Sequence, residues 1–145
     1  MKIVIALFLT VLFGKGCHQE YQHDMESTII EYTANSRGNF YKITIQNQMV
    51  FVSRDRKKVE PPVATKLSDA DWKKIIADFK EINLEEIPNL KPPTEYRTYD
   101  GAMMASLKIT YKDKVYETVT FDNGYPPKEI AKLVDKVNSF AKKDD

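Results

Sequence analysis

Residues 41–46 read Tyr-Lys-Ile-Thr-Ile-Gln, and this strict alternation of apolar and polar side chains decides the fold of the chain. A period of two predicts a β-strand that buries one face and exposes the other. Residues 28–33 and residues 49–53 flank this run and are also typical of strands. Turn-forming residues 35–39 and the pair Asn47-Gln48 separate the three runs, so we predict an antiparallel three-stranded meander.

The second part of the chain alternates between helical and strand patterns. Ser68 suits an N-cap, and apolar residues then recur at helical spacing at Trp72, Ile75, Ile76, Phe79 and Ile82. A second alternating run occupies residues 104–111, and residues 112–114 turn the chain into a returning strand that ends at residue 121. A final helix is predicted from the same spacing at Ile130, Leu133, Val134, Val137 and Phe140.

The predicted order of elements is therefore βββ-α-ββ-α. Five strands with one apolar face and two one-sided helices indicate an α+β fold, in which a mostly antiparallel five-stranded sheet carries both helices on one face. The chain has 145 residues, of which 42% are hydrophobic, and this is enough for one domain with a core. We assign the domain to residues 27–142 and a tail to residues 143–145.

The N-terminus has the composition of a signal peptide. Met1-Lys2 is positively charged, residues 3–13 are apolar except for Thr10, and the small residues Gly14 and Gly16 follow. We therefore predict that residues 1–16 are a signal peptide. Eleven residues of helix rise about 16 Å, which is short of a bilayer core of about 30 Å, so a permanent transmembrane helix is not predicted.

Cys17 is the only cysteine of the chain and directly follows Gly16. A small residue before a cysteine at the end of the signal resembles bacterial lipoprotein signals. This resemblance implies lipidation of Cys17 and anchoring to a bacterial membrane, with the outer membrane favoured and the domain on its periplasmic or surface face. Residues 17–26 would then be the lipidated cysteine and a polar tether. The alternative is an ordinary secretory signal with an incidental cysteine.

The composition excludes several kinds of chemistry. Histidine and cysteine are absent after His23, so the domain cannot assemble a Ser-His-Asp or Cys-His arrangement. His18 and His23 lie in the tether, where nothing fixes the geometry of metal ligands, and we predict neither a metal nor a cofactor. The formal charge of +1 is not that of a nucleic-acid-binding protein. We expect no enzymatic activity, with a carboxylate-based hydrolase as an alternative.

Two loops contain residue types that often anchor a binding partner. Residues 94–101 include Tyr96, Arg97, Tyr99 and Asp100, and Tyr125 lies in a later turn. We predict that these five residues form a partner-binding surface, the alternative being that the tyrosines cover the edge of the core. The basic run at residues 54–58 is interpreted as a solvated turn rather than a site.

The domain also resembles small uncharacterised lipoproteins of Gram-negative bacteria. The resemblance covers about residues 29–140 and is carried by residues 37–41, residues 67–72 and residues 121–127. The lipoprotein signal, the short tether, the missing catalytic side chains and the tyrosine loops together predict a lipid-anchored, non-catalytic envelope domain that binds another macromolecule, with an envelope protein as the candidate partner. The layout of strands, a helix that starts with Leu67-Ser68-Asp69 and a late hairpin resembles emfourin-type inhibitors of M4 metalloproteases. Inhibition of a metalloprotease is therefore an alternative function, and no functional residue is carried over.

Overall fold

A computed structural model describes residues 24–141. The predicted signal peptide, Cys17 and the tail at residues 143–145 lie outside the described residues. The strands are β1 (Ile29–Asn35), β2 (Phe40–Gln46), β3 (Met49–Ser53), β4 (Val63–Lys66), β5 (Met104–Tyr111), β6 (Lys114–Glu117) and β7 (Phe121–Asp122). The helices are α1 (Asp69–Lys80), α2 (Ala131–Ser139) and two 3₁₀ helices, Leu84–Asn89 and Tyr96–Tyr99.

The strands form one sheet in the order β4-β3-β2-β1-β5-β6, and β7 pairs with β5 beside β6. Every pair is antiparallel. β1 lies at the centre, where Ile30 is opposite Ile45 of β2 and Ile109 of β5. The meander predicted from the first three apolar runs is confirmed. On the other side of β1 the sheet is completed by β5, β6 and β7, which come from the C-terminal half of the chain.

One face of the sheet is buried and the other carries charged side chains. Alternate residues of β1, β2 and β5 face the core, and the buried apolar residues of both helices belong to the same cluster: Ile30, Tyr32, Ala34, Ile43, Ile45, Leu107, Ile109, Ile75, Phe79, Leu133, Val134 and Val137. On the open face, the Glu31 carboxylate lies 2.8 Å from Lys42 Nζ and 3.9 Å from Lys108 Nζ. The two-period pattern therefore predicted the buried face correctly.

The mixed α+β class is confirmed, but the prediction of five strands in the order βββ-α-ββ-α is wrong. The described part of the chain forms a sheet of seven strands. β4 was missed because all four of its residues are exposed, so the strand has no alternation of apolar and polar side chains.

β7 was missed because a bulge divides the predicted last strand. Lys108 is opposite Glu117, and Ala105 is opposite Phe121. Between these two pairs β5 contributes residues 106–107, whereas the segment that joins β6 to β7 contributes residues 118–120, which is one residue more. Thr118 bridges the interruption, because its N–H donates to the Leu107 carbonyl oxygen and its hydroxyl accepts from the Leu107 N–H, each at 3.0 Å.

Two tight turns and one helical turn position the ends of the elements. Asn47-Gln48 and Lys112-Asp113 each form a two-residue hairpin turn in which both residues have positive φ, between 47° and 63°. The predicted turn at Asn47-Gln48 is thus confirmed.

Residues 24–27 form a helical turn, and Met25 is fully buried in the core. No helix among residues 24–141 combines the length and hydropathy needed to cross a bilayer.

Candidate functional site

Three tyrosine rings meet on the surface at one end of the sheet. Tyr96 and Tyr99 lie on the second 3₁₀ helix, and Tyr125 follows β7. The ring centroid of Tyr96 lies 6.1 Å from that of Tyr99, edge to face, and 5.3 Å from that of Tyr125. The three residues are 40%, 67% and 49% exposed, respectively. We call Tyr96, Tyr99 and Tyr125 the tyrosine cluster.

Asp122 of β7 holds the loop that carries two of these rings. Its carboxylate is fully buried and accepts hydrogen bonds from Thr94 Oγ1 at 2.5 Å, from Tyr96 N–H at 2.7 Å and from Arg97 N–H at 2.9 Å. Arg97 Nη1 lies 3.2 Å from the same carboxylate and 2.8 Å from the Thr94 carbonyl oxygen. A single buried carboxylate therefore fixes four groups of the loop.

The hydrogen bonds to Asp122 also determine its charge. Burial on its own would raise the pKa of this carboxyl, but the donors from Thr94, Arg97 and Tyr96 outweigh that effect and lower the pKa to about 2. Asp122 is therefore ionised at neutral pH, and its negative charge is balanced by Arg97. A buried charge that is paired and fully hydrogen-bonded is a stable arrangement for a loop anchor.

Asn123 provides a second anchor on the core side. Its Oδ1 accepts a hydrogen bond from the Tyr32 hydroxyl at 2.6 Å and lies 3.0 Å from the Tyr41 hydroxyl, which is also 2.7 Å from Asn138 Oδ1 of α2. Burial raises the pKa of Tyr32, so this hydroxyl keeps its proton and acts as a donor. The turn after β7 is thereby connected to β1, β2 and α2.

The 3₁₀ helix of the cluster ends in a tight turn. Asp100 is exposed and adopts a left-handed conformation with φ of 60°, and the Gly101 N–H donates to the Tyr96 carbonyl oxygen at 2.8 Å. A Cβ atom at Gly101 would lie 3.1 Å from that oxygen and 3.1 Å from Cε2 of Tyr99. Glycine at this position therefore allows the Tyr99 ring to pack against the loop.

The five residues predicted to bind a partner have different positions in the structure. Tyr96, Tyr99 and Tyr125 come together in one exposed cluster, and Asp100 lies beside them in the turn. Arg97 is mostly buried and is engaged with Asp122, so its guanidinium positions the loop.

The basic run at residues 54–58 is partly structural. Arg54 donates to the Ala141 carbonyl oxygen, and Arg56 Nη2 donates to Asn35 Oδ1 at 2.6 Å. Asp55 caps its own loop by accepting from the backbone N–H groups of residues 57, 59 and 60. This run is an ordered turn in which the two arginines attach the loop to neighbouring elements.

Sequence reasoning missed the roles of Asp122 and Asn123. An Asp-Asn-Gly sequence after a strand is typical of a turn, and nothing in it indicates that the carboxylate is buried. No signal in the sequence distinguishes these two residues from those of an exposed turn. Within residues 24–141, no group of three or more His, Cys, Asp or Glu side chains is placed to hold a metal ion.

Comparison with known proteins gives no match to a protein-family model and no significant match to a curated protein.

Proposed function

We propose that this chain is a lipid-anchored, non-catalytic domain of the bacterial cell envelope that binds another protein through the tyrosine cluster. The observation that carries the proposal is the set of three exposed tyrosine rings, two of which lie on a loop fixed by buried Asp122. Tyrosine combines a large apolar ring with a polar hydroxyl and is enriched among the residues that dominate protein interfaces. A loop that is already ordered loses little conformational entropy on binding.

The position of the cluster supports this role. Asp24 forms an ion pair of 3.4 Å with Lys112, which follows the C-terminal end of β5. Asp122 instead pairs with Met104, the first residue of β5. Eight strand residues span about 24 Å, so the chain enters the domain at one end of the sheet and presents the tyrosine cluster at the other.

This arrangement directs the cluster away from the proposed lipid anchor. Residues 18–23 separate Cys17 from the described domain and can span at most about 20 Å. A domain on so short a tether stays close to the membrane, and its far end is the part most accessible to other envelope components. The absence of histidine and cysteine after His23 supports a binding role rather than nucleophilic catalysis.

The binding role is tested by comparing captured partners. The full chain and a variant with Tyr96, Tyr99 and Tyr125 all changed to Ala would be cross-linked in envelope preparations, and the captured proteins would be compared by mass spectrometry. We expect at least one partner to be lost by the triple variant. The matched control is Val115→Ala with Val119→Ala, which removes exposed apolar side chains from β6 and from the segment between β6 and β7. Identical partners for all three proteins would exclude the tyrosine cluster as the site.

The anchor is tested separately by fractionation. Cys17→Ser removes the only thiol of the chain, so the protein should move from the membrane fraction to the soluble periplasmic fraction. Its free energy of unfolding should not change, because the anchor lies before the folded domain. Retention of the Cys17→Ser protein in the membrane fraction would contradict lipid anchoring and leave the binding test unaffected.

A further inference from the structure

We propose that the outer edge of β4 and the groove beside it bind an extended, acidic segment of a partner protein by strand addition. This surface is distinct from the tyrosine cluster and does not depend on it. β4 is the last strand of the sheet on its side, and within residues 24–141 it pairs only with β3. An unpaired edge offers backbone donors and acceptors to an added strand.

The register of β4 shows which backbone groups are free. The Leu67 N–H donates to the Gln48 carbonyl oxygen at 2.8 Å, and Thr65 is opposite Val50 in the same antiparallel pairing. Because inward and outward hydrogen-bonding positions alternate along an antiparallel strand, Thr65 and Leu67 direct their backbone groups to β3. Ala64 and Lys66 therefore direct their N–H and C=O groups outward. An added strand can form up to four hydrogen bonds with these two residues.

A groove continues the buried face of the sheet below this edge. It has a volume of about 770 Å³, and its floor includes Val50 and Val52 of β3 with Val63 of β4. Phe140, at the end of α2, lines the opposite wall. Val63 is 70% exposed although its side chain lies on the same face as Val52. The core-facing side chains of an added strand would cover this apolar surface.

The loop that borders the groove is held in place before any partner binds. Asp55 Oδ2 accepts from the backbone N–H groups of Val59 and Glu60 at 2.7 and 2.9 Å, and these bonds lower the pKa of its carboxyl. Arg54 and Arg56 attach the same loop to α2 and to the β1–β2 turn. Little ordering of the loop is therefore required when a strand is added.

The charges around the edge determine the kind of partner. Lys57, Lys58 and Lys66 are exposed, and among residues 24–141 none of the three ammonium groups forms an ion pair or hydrogen bond. Of the other charged residues that line the groove, Arg54 and Asp55 are engaged in the hydrogen bonds given above, whereas Glu60 is exposed. A second copy would bring three further lysines to this edge, whereas an acidic strand would neutralise them.

The opposite edge of the sheet does not offer the same opportunity. The 3₁₀ helix Leu84–Asn89 lies beside β6, where Glu85 accepts from Lys114 Nζ at 3.1 Å and from the Tyr116 hydroxyl at 3.3 Å. These side-chain contacts hold the 3₁₀ helix against β6. β4 has no comparable cover within the described part of the chain, and its four residues are all exposed.

The test uses a fluorescently labelled hexapeptide of alternating glutamate and valine, with a lysine–valine hexapeptide as its control. Binding to the full chain is measured by fluorescence anisotropy. The decisive variant is Ala64→Pro, which removes an outward N–H; proline is tolerated on an edge strand where the N–H faces solvent. Ala64→Thr is the matched control because it changes the side chain and keeps the N–H. Thermal unfolding verifies that both variants are folded.

We expect saturable binding of the glutamate–valine peptide, at least tenfold weaker binding by Ala64→Pro, and unchanged binding by Ala64→Thr. Replacing Lys57, Lys58 and Lys66 with Gln should also weaken binding, and added salt should act in the same direction. Equal binding of the lysine–valine peptide, or wild-type affinity in folded Ala64→Pro, would overturn the proposal. A dimer of the full chain that Ala64→Pro dissociates would show that a second copy occupies the edge instead.

Discussion

Asp122 connects the folding of this domain to the presentation of its tyrosines. It belongs to a strand of only two residues, yet its carboxylate accepts hydrogen bonds from three residues of a loop more than twenty positions earlier. The charge is compensated by Arg97, which would otherwise be the most attractive polar group for a partner. At this site Asp122 and Arg97 hold the loop in place, whereas the tyrosine cluster forms the exposed surface.

We predict that Asp122→Asn lowers the free energy of unfolding by about 3–5 kcal/mol, the usual cost of removing one partner of a buried ion pair. The amide cannot balance Arg97, and its NH₂ group would face the N–H donors of the loop. The measurement is urea unfolding at neutral pH. Asp100→Asn is the control, since Asp100 is exposed and should change stability by less than about 0.5 kcal/mol. Equal midpoints for both variants would contradict the anchoring role.

The lowered pKa of Asp122 also predicts a pH dependence of stability. The ordinary pKa of the carboxyl is 3.8, and in the folded protein it is about 2. As the pH falls below about 4, the Asp122 carboxyl becomes protonated in the unfolded chain while it is still ionised in the folded protein. The free energy of unfolding therefore decreases between about pH 5 and pH 2. Urea unfolding across this range should show a shallower decrease for Asp122→Asn.

Some of the slope should remain in that variant, because two other carboxyl groups behave in the same way. Backbone N–H donors lower the pKa of Asp55, and the hydrogen bond from Lys136 lowers the pKa of Asp71. A slope identical to that of the wild type would show that Asp122 is not the main group that titrates. Increased stability at low pH would contradict the direction of the pKa shift itself.

At the scale of elements, the two hairpin turns have the same backbone shape and different side-chain roles. Asn47-Gln48 and Lys112-Asp113 both place two non-glycine residues at positive φ, which glycine adopts at lower cost. Gln48 Nε2 donates to the Leu67 carbonyl oxygen at 2.9 Å and to Asp69 Oδ1 at 2.8 Å. Gln48 therefore connects its turn to the start of α1, whereas Asp113 is exposed.

We predict that Asp113→Gly raises the free energy of unfolding by about 0.5–1 kcal/mol, because it relieves the left-handed conformation without removing a contact. Gln48→Gly relieves the same conformation but loses two hydrogen bonds, so it should give no gain. Thermal unfolding of the two variants side by side measures the difference. A larger gain for Gln48→Gly than for Asp113→Gly would show that the bonds of Gln48 contribute nothing.

The elements also show how far a local pattern can be trusted. Strands with alternation and helices with an apolar stripe were predicted at nearly their observed positions, as with β3 (Met49–Ser53) and α1. In α1 the stripe is correct, but Trp72 is only partly buried while Ile75 and Phe79 are in the core. The spacing of apolar residues predicts which face of a helix is buried. How deeply each side chain on that face is buried depends on the elements that pack against it.

At the scale of the whole molecule, the centre of the sheet joins distant parts of the chain. β1 pairs with β2 close in sequence and with β5 about seventy-five residues later, so residues 30–35 are paired on both sides. β4 and β6 lie at the two ends of the sheet order. Protection of the backbone should therefore decrease from β1 towards the edges.

Amide hydrogen exchange measured residue by residue tests this expectation. We predict the slowest exchange at the buried residues Ile30 and Tyr32 of β1. In β4 the amides of Ala64 and Lys66 should exchange faster than that of Thr65, because their N–H groups face solvent. The opposite pattern in β4 would reverse the register and with it the donors available for strand addition.

The sequence by itself determined the α+β class, the buried faces of the longer strands and both helices, and the three tyrosines as candidates for binding. These properties are local, because a period of 2 or 3.6 residues selects the buried face of an element without reference to its neighbours. Only the tertiary structure decided that Tyr96 and Tyr125 touch, that Asp122 is buried beneath them, and that Ala64 and Lys66 face outward from an unpaired edge. Each of these depends on which strands are adjacent, and adjacency is settled by the packing of the whole chain around one core.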